Sequence, residues 1–309
     1  MALINVETIR GRLGRLQPID WWTLAYVGLA TVALSLSSRS NPIPGWPWLV
    51  LGHVLLATLV LLAPRVRDAG PLGRFLGDWY PMLLLAALYG EIGVLTLGAG
   101  FQHDAAIQRL ETWVFGSQVS YRWIREMPNP WLSSFFHTCY LAYYAILYAS
   151  PAGLWFSGRR DAARHTILAV MITFYVCYVV FLFYPVAGPR YAFDLAHNAA
   201  TQVRPARLAQ WLLDRGDSWG AAFPSSHVAA SVVAAGMALR YWRPLGIALL
   251  LPTTGLVLAV VYGQFHYGVD ALGGLLVAGI MLGVMQRGRG PSESAARVES
   301  VVGVLDAST

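Results

Sequence analysis

The chain has no lysine: all 22 basic residues are arginine, which reads as coding bias rather than chemistry. Charge of either sign is scarce. Asp, Glu and Arg make up 12% of the 309 residues, about half the share in a soluble domain. With 56% hydrophobic residues and a mean hydropathy of +0.51, this composition excludes an ordinary soluble globule and marks an integral membrane protein. Cysteine is nearly absent too. Cys139 and Cys177 both lie in apolar runs and read as packing residues, so they say nothing about redox compartment. No small-residue cleavage site follows the arginine-bearing N-terminus, so no cleavable signal peptide is expected. No internal repeat is present. The net charge of +6 does not make a nucleic-acid face, because the arginines sit in short clusters between apolar runs.

What is there is a series of membrane-length runs. A spanning helix needs about 20 mostly apolar residues, and eight segments qualify: 21–37, 46–63, 80–97, 131–155, 165–184, 225–242, 244–262 and 269–286. Trp21, Trp46, Trp79, Tyr80, Trp131 and Trp155 fall near their ends, as interfacial aromatics do. The expected fold is therefore all-α, a polytopic membrane helix bundle of about eight spans. Arginine clusters at 10–15, 65–74, 159–164, 240–243 and 287–297 alternate with loops in which arginine is sparser or matched by acids. An even number of spans puts all five clusters on one face, expected to be cytoplasmic together with both termini. Residues 1–20 read as an amphipathic surface segment, Ala105–Phe115 as a short interfacial helix, and 287–309 as a disordered tail.

The chemistry gathers between Phe223 and Asp270. Phe223-Pro224-Ser225-Ser226-His227 opens one span, and Ser225 is a natural N-cap. Behind it a helix would offer free amides and a positive dipole end to an anion, with His227 in the first turn. His266 and Asp270 are four apart, which on a helix puts them on one face. The carboxylate would take one imidazole N–H and leave the other nitrogen as nucleophile. Arg190, after Pro185-Val186-Ala187-Gly188-Pro189, adds a planar fork for phosphate oxygens on the same side. Taken singly, these groups read equally as a cap, a neutralised pair and an interfacial arginine. Together, on one membrane face, they point to phosphoryl chemistry.

These residues resemble the phosphatidic acid phosphatase type 2 superfamily of membrane phosphoesterases. Its second motif reads Pro-Ser-Gly-His, here with Ser226 at the glycine position, and its third ends His-x3-Asp, here His266 to Asp270. Its first motif begins with a lysine where Phe183 stands, and its third carries an arginine where Val260 stands. The Pro-Arg element, Phe-Pro-Ser-x-His-x-Ala and His-Tyr-x-x-Asp are similar to the inositolphosphorylceramide-synthase-like branch. The resemblance, over roughly 80–286, implies a six-helix catalytic core with two extra N-terminal spans (21–79). It also implies a phosphohistidine mechanism at the extracytoplasmic face of the plasma membrane. His266 would be nucleophile, Asp270 its orienter and His227 the acid and base; Arg190, Ser225 and Ser226 would bind phosphate. The substrate would be a lipid phosphate or phospholipid, the acceptor water or an alcohol; no metal, cofactor or nucleic acid is called for. Tyr267, His137 and Glu91 are candidate pocket residues, the last two because ionisable groups within a membrane are costly. His103 and Asp104 read as solvated loop residues, and Gly279 with Gly283 as a close-packing helix face. A lipid transporter or non-catalytic lipid-binding protein is the alternative. It would place charges near mid-membrane in broken spans, whereas here the polar groups collect at one end.

Overall fold

Apolar runs of this length can satisfy their backbone within a membrane only as helices, and the computed structural model is a helix bundle with no strand among its described residues, 14–40, 43, 45–96 and 101–287. The amphipathic N-terminal segment lies mostly, and the C-terminal tail almost wholly, outside them.

The spans are α1 (Pro18–Ser40), α2 (Trp46–Asp68), α3 (Gly70–Thr96), α6 (Pro130–Leu141) followed by α7 (Tyr143–Phe156), α8 (Arg160–Phe183), α11 (Ser226–Tyr241), α12 (Arg243–Tyr262) and α13 (Gly268–Arg287). Six of them are long and apolar enough to cross a membrane unaided. The run 131–155 divides at Ala142, whose φ of −65° and ψ of −9° still carry the chain straight from α6 into α7. α11 is shorter because it is the inner helix. Ala229, Ala230, Ala234, Ala235 and Ala238 are all buried, and these small side chains let α7, α8, α12 and α13 pack around it. α8 is the other hub, touching α1, α3, α7, α11 and α13.

The two long loops hold more structure than the sequence suggests. α4 (Asp104–Phe115) matches the expected interfacial helix, but α5 (Val119–Glu126), α9 (Pro189–Ala192), a 3-10 turn at Ala199–Gln202 and α10 (Arg204–Gly216) also form. Gly279 and Gly283 are a correction: a Cβ at either would meet nothing within 4 Å, so that face looks outward. The close approach is made one turn earlier, where a Cβ on Gly274 would lie 2.5 Å from the Ser225 carbonyl oxygen.

At the end of the bundle far from the histidines, Arg67 is buried rather than interfacial. Its Nη1 and Nη2 donate to the two oxygens of Asp20 at 2.6 and 2.7 Å, and its Nε lies 3.3 Å from Asp78. Arg164 donates to Asp78 at 2.7 Å, and Tyr80 to Asp20 at 2.8 Å. This network ties α1, α2, α3 and α8 together. Arg67→Met would leave two buried carboxylates short of their cation, a loss of about 3–5 kcal/mol. A large drop in melting temperature of the detergent-solubilised protein is expected; an unchanged melt would show that the network does not hold the N-terminal helices.

Candidate active site

Helix geometry builds the first half of the site. Ser225 caps α11, its Oγ accepting from the Val228 amide at 3.4 Å. Ser226 and His227 are then the first two helical residues, whose N–H groups have no acceptor inside the helix. The approach to this cap is fixed by backbone pairing: Val186 donates to Gly220 at 3.1 Å, and Ala222 to Val186 at 3.0 Å. Gly188 sits at φ +95°, and a Cβ there would meet that of Ala222 at 2.9 Å, so the chain ahead of Arg190 turns only with glycine.

His266 comes from the turn between α12 and α13, and its N–H donates to the Val260 carbonyl at 2.9 Å. Its Nδ1 lies 2.9 Å from the Ala222 carbonyl oxygen, which can only accept, so Nδ1 carries the proton. Nε2 is left as the lone-pair nitrogen and faces His227 Nδ1 at 3.4 Å. Asp270 enters differently from the expected helical pair, because His266 precedes α13. The carboxylate accepts from the Tyr267 amide at 2.8 Å and stands 3.5 Å from His266 Nδ1. The Ala222 carbonyl therefore fixes the tautomer, and Asp270 supplies nearby negative charge. The Ser225 amide donates to the Asp270 carbonyl at 2.9 Å, joining the two motifs through backbone.

Arg190 reaches the same place from α9. It borders a void of about 20 Å³ with His227, His266, Tyr140 and Phe265. That is room for about one water, less than a phosphoryl group needs, so lining side chains must shift for one to dock. Asp214 accepts from Nη2 at 2.5 Å, and Asp217 lies 3.8 Å from Nε. Nη1 is buried with no hydrogen-bond partner among the described residues. Ser226 and His227 also end a cavity of about 670 Å³ running down between α3 and α7, both of which pack on α8. Tyr89, Tyr140, Tyr143 and Tyr178 line its inner part; Leu85, Leu147 and Phe174 line its depth. Tyr191 sits at its rim, and burial with the neighbouring Asp217 pushes its hydroxyl up to about 12.

The other candidates part company. Tyr267 is fully buried beneath the site, its hydroxyl donating to Asp104. Glu91 borders neither cavity: its carboxylate lies 2.7 Å from His53 Nε2, and His53 in turn bonds Thr31, which links α1, α2 and α3. His137 is buried beside Phe265 and borders a different chamber. Ser225 acts as a cap and not as a wall.

Asp104 is a correction in the other direction. It is 2% exposed, not solvated. Its oxygens accept from the amides of Ala187 and Gly188, each at 2.9 Å, and from Tyr267 at 3.1 Å. Gln108 also donates to Tyr267, and Glu111 accepts from Gly268 at 2.6 Å and Ser120 at 2.9 Å. Burial raises the Glu111 carboxyl above the ordinary range, while those amides pull it back. Residues 104, 108 and 111 lie at i, i+4 and i+7, one face of α4. That polar stripe was the signal in the sequence. His103 likewise docks, its Nδ1 donating to the Pro185 carbonyl at 2.9 Å.

A family model described as the PAP2 superfamily matches residues 105–284, more than half of the chain. The chain belongs to the PAP2 superfamily. Membership supports a phosphatase or phosphotransferase type of activity in a multi-pass membrane protein. No curated protein and no solved structure matches. The match takes in α4 through most of α13 and leaves α1 to α3 outside.

Proposed function

We propose that this PAP2-superfamily protein is a lipid phosphotransferase or phosphatase that works through a phosphohistidine on His266. The observation that carries the reading is the His266–His227 contact. An imidazole whose Nδ1 proton is held by a carbonyl aims its other nitrogen at a second imidazole, beside an arginine with an N–H unpaired among the described residues. In the first step His266 Nε2 attacks phosphorus. The bond from phosphorus to the lipid oxygen breaks, and that oxygen takes a proton from His227. In the second step His227 removes a proton from water or an alcohol whose oxygen attacks phosphorus, and the P–N bond returns its electrons to His266. Arg190 Nη1 and the first amides of α11 hold the phosphoryl oxygens as charge builds on them. Asp270 steadies the imidazolium character that His266 gains in the phosphorylated state.

The tyrosine- and leucine-lined cavity supports a lipid substrate, with its chain lying between α3 and α7. Because α3 walls that cavity, it belongs with the catalytic core, and α1 and α2 are the addition. The arginines at the opposite end of the bundle support cytoplasmic termini and an extracytoplasmic site at the plasma membrane. The His-Tyr-x-x-Asp and Phe-Pro-Ser-x-His-x-Ala elements favour head-group transfer of the inositolphosphorylceramide-synthase-like kind over simple hydrolysis. The test is incubation of purified protein with radiolabelled lipid phosphates and phospholipids, followed by acid and alkali treatment. An acid-labile, alkali-stable phosphoenzyme is expected. Lipid binding with no phosphoenzyme and no product would leave a transporter or lipid-binding protein instead.

A further inference from the structure

Arg190 has an unusual setting for a group that is to bind phosphate. Two carboxylates, Asp214 and Asp217, flank its single positive charge, so an incoming phosphoryl group must compete with both. Asp214 is 52% exposed, and water screens its hold on the guanidinium. Asp217 is the stronger competitor. Its side chain is only 17% exposed, and its Oδ2 stands 3.8 Å from Arg190 Nε, just short of a hydrogen bond.

Neutral donors occupy that carboxylate instead. Tyr89, on α3, donates to Asp217 Oδ1 at 3.0 Å, and Tyr191, on α9, donates to Oδ2 at 3.1 Å. The Ser218 amide adds a third bond, to Oδ1 at 3.0 Å. Both oxygens are thus satisfied without the guanidinium, and Arg190 Nη1 stays buried with no hydrogen-bond partner among the described residues. The contact with α3 is held along two turns. The Ser218 hydroxyl donates to the Tyr89 carbonyl at 2.7 Å, and the Thr96 hydroxyl donates to the Trp219 carbonyl at 2.7 Å. A Cβ on Gly93, between them, would lie 3.4 Å from the Ser218 Cα, so the loop rests directly on the helix. Tyr89 and Asp217 both border the lipid cavity and the histidine void. The Tyr89 hydroxyl therefore reaches the phosphate site from a helix that lies wholly outside the family match.

We propose that Tyr89 is a positioning residue of the phosphate site: its hydroxyl, with that of Tyr191, occupies Asp217 and so leaves Arg190 free for phosphoryl oxygens. The inference rests on the reading of Arg190 as the phosphate-binding group and adds the residue that keeps it available. Without the Tyr89 hydroxyl, Asp217 Oδ1 loses one of its two donors, and the neighbouring guanidinium is the charged donor that replaces it. The arginine then turns toward the acid and away from phosphorus. The rest of the ring has a separate role as a wall of the lipid cavity, and phenylalanine preserves it.

The test measures calorimetric binding of orthovanadate, a phosphoryl mimic, to the full chain in detergent, beside the rate of phosphoenzyme formation from phosphatidic acid. Tyr89→Phe should weaken vanadate binding by about tenfold or more, the effect of giving one charge-assisted hydrogen bond to a competitor. Phosphoenzyme formation should slow by a similar factor. Asp217→Asn removes the competing charge. In the Tyr89→Phe background it should restore vanadate binding to within about threefold of wild type, and alone it should not weaken binding. A tyrosine that only supports the fold would give the reverse, with the losses of the two changes adding. Additive losses, or wild-type vanadate binding in Tyr89→Phe, would overturn the role of Tyr89 while leaving Arg190 in place. Vanadate binding undiminished in Arg190→Ala would overturn the phosphate-site reading beneath it.

Discussion

His266→Ala should lose turnover by a factor on the order of 10⁴–10⁶, the range expected when a covalent nucleophile is removed. The protein should remain folded. The imidazole makes two hydrogen-bond contacts through its side chain, to the Ala222 carbonyl at 2.9 Å and to His227 at 3.4 Å, and it borders an existing void that tolerates a smaller side chain. His227→Ala separates the two steps of the proposed mechanism. With a natural lipid leaving group the first step needs a proton from His227, so a loss of about 10²–10⁴ is expected. A substrate with a p-nitrophenolate leaving group needs no such proton. Its first step should survive, and the second, which still needs a base, should stall. The His227→Ala protein should therefore accumulate phosphoenzyme from the activated substrate, while His266→Ala forms none. A phosphoenzyme in the His266 variant would transfer the nucleophile elsewhere, and its absence in both variants would deny His227 a separate role.

The eight runs could be read in the sequence because a bilayer imposes both length and composition, and the helix ends fall within a few residues of the apolar boundaries in most of them. α3 is the exception, starting at Gly70 where the apolar run begins at Tyr80. Its first turns carry Arg74 and Asp78, and the buried Asp78 is neutralised by Arg67 and Arg164 from other helices. Hydropathy cannot register such pairing. The histidines were legible as a pair because two short motifs opened spans on the same face. Their detailed geometry was not. The i, i+4 rule holds only inside a helix, and His266 lies before the helix begins, so a carbonyl from residue 222 does the work assigned to the carboxylate. α5 and α10 were missed for a related reason: their apolar faces are covered by the loop that contains them and by α6 and α12, not by lipid. Glu91 shows the opposite failure. An intramembrane acid suggests a site, yet its partner His53 stands 38 positions earlier with no pattern to announce it.

α4 is where these omissions converge, because it holds the loop ahead of Arg190 and the loop after His266 without contributing a group to the void. Asp104 holds two successive amides just ahead of Arg190 and the hydroxyl of the residue after His266, and Glu111 holds the first amide of α13. Replacing Asp104 with alanine would strand three buried donors, at about 1–3 kcal/mol each. Asparagine is the more telling change. It keeps the shape but presents an NH2 to one of two amides that both need an acceptor, so it should not rescue. For Asp104→Asn we expect activity reduced about 10²-fold, with phosphoenzyme formation slowed rather than its breakdown. Tyr267→Phe, which removes one donor and leaves both amides satisfied, should cost about 1 kcal/mol in stability and much less activity. Asp104 is a positioning residue in this scheme, acting through Arg190, and a double-mutant cycle distinguishes that from a general loosening of the fold. In an Arg190→Ala background the Asp104→Asn change should have lost most of its effect on the rate of phosphoenzyme formation. Full additivity of the two changes would mean that α4 supports the protein but does not aim the arginine.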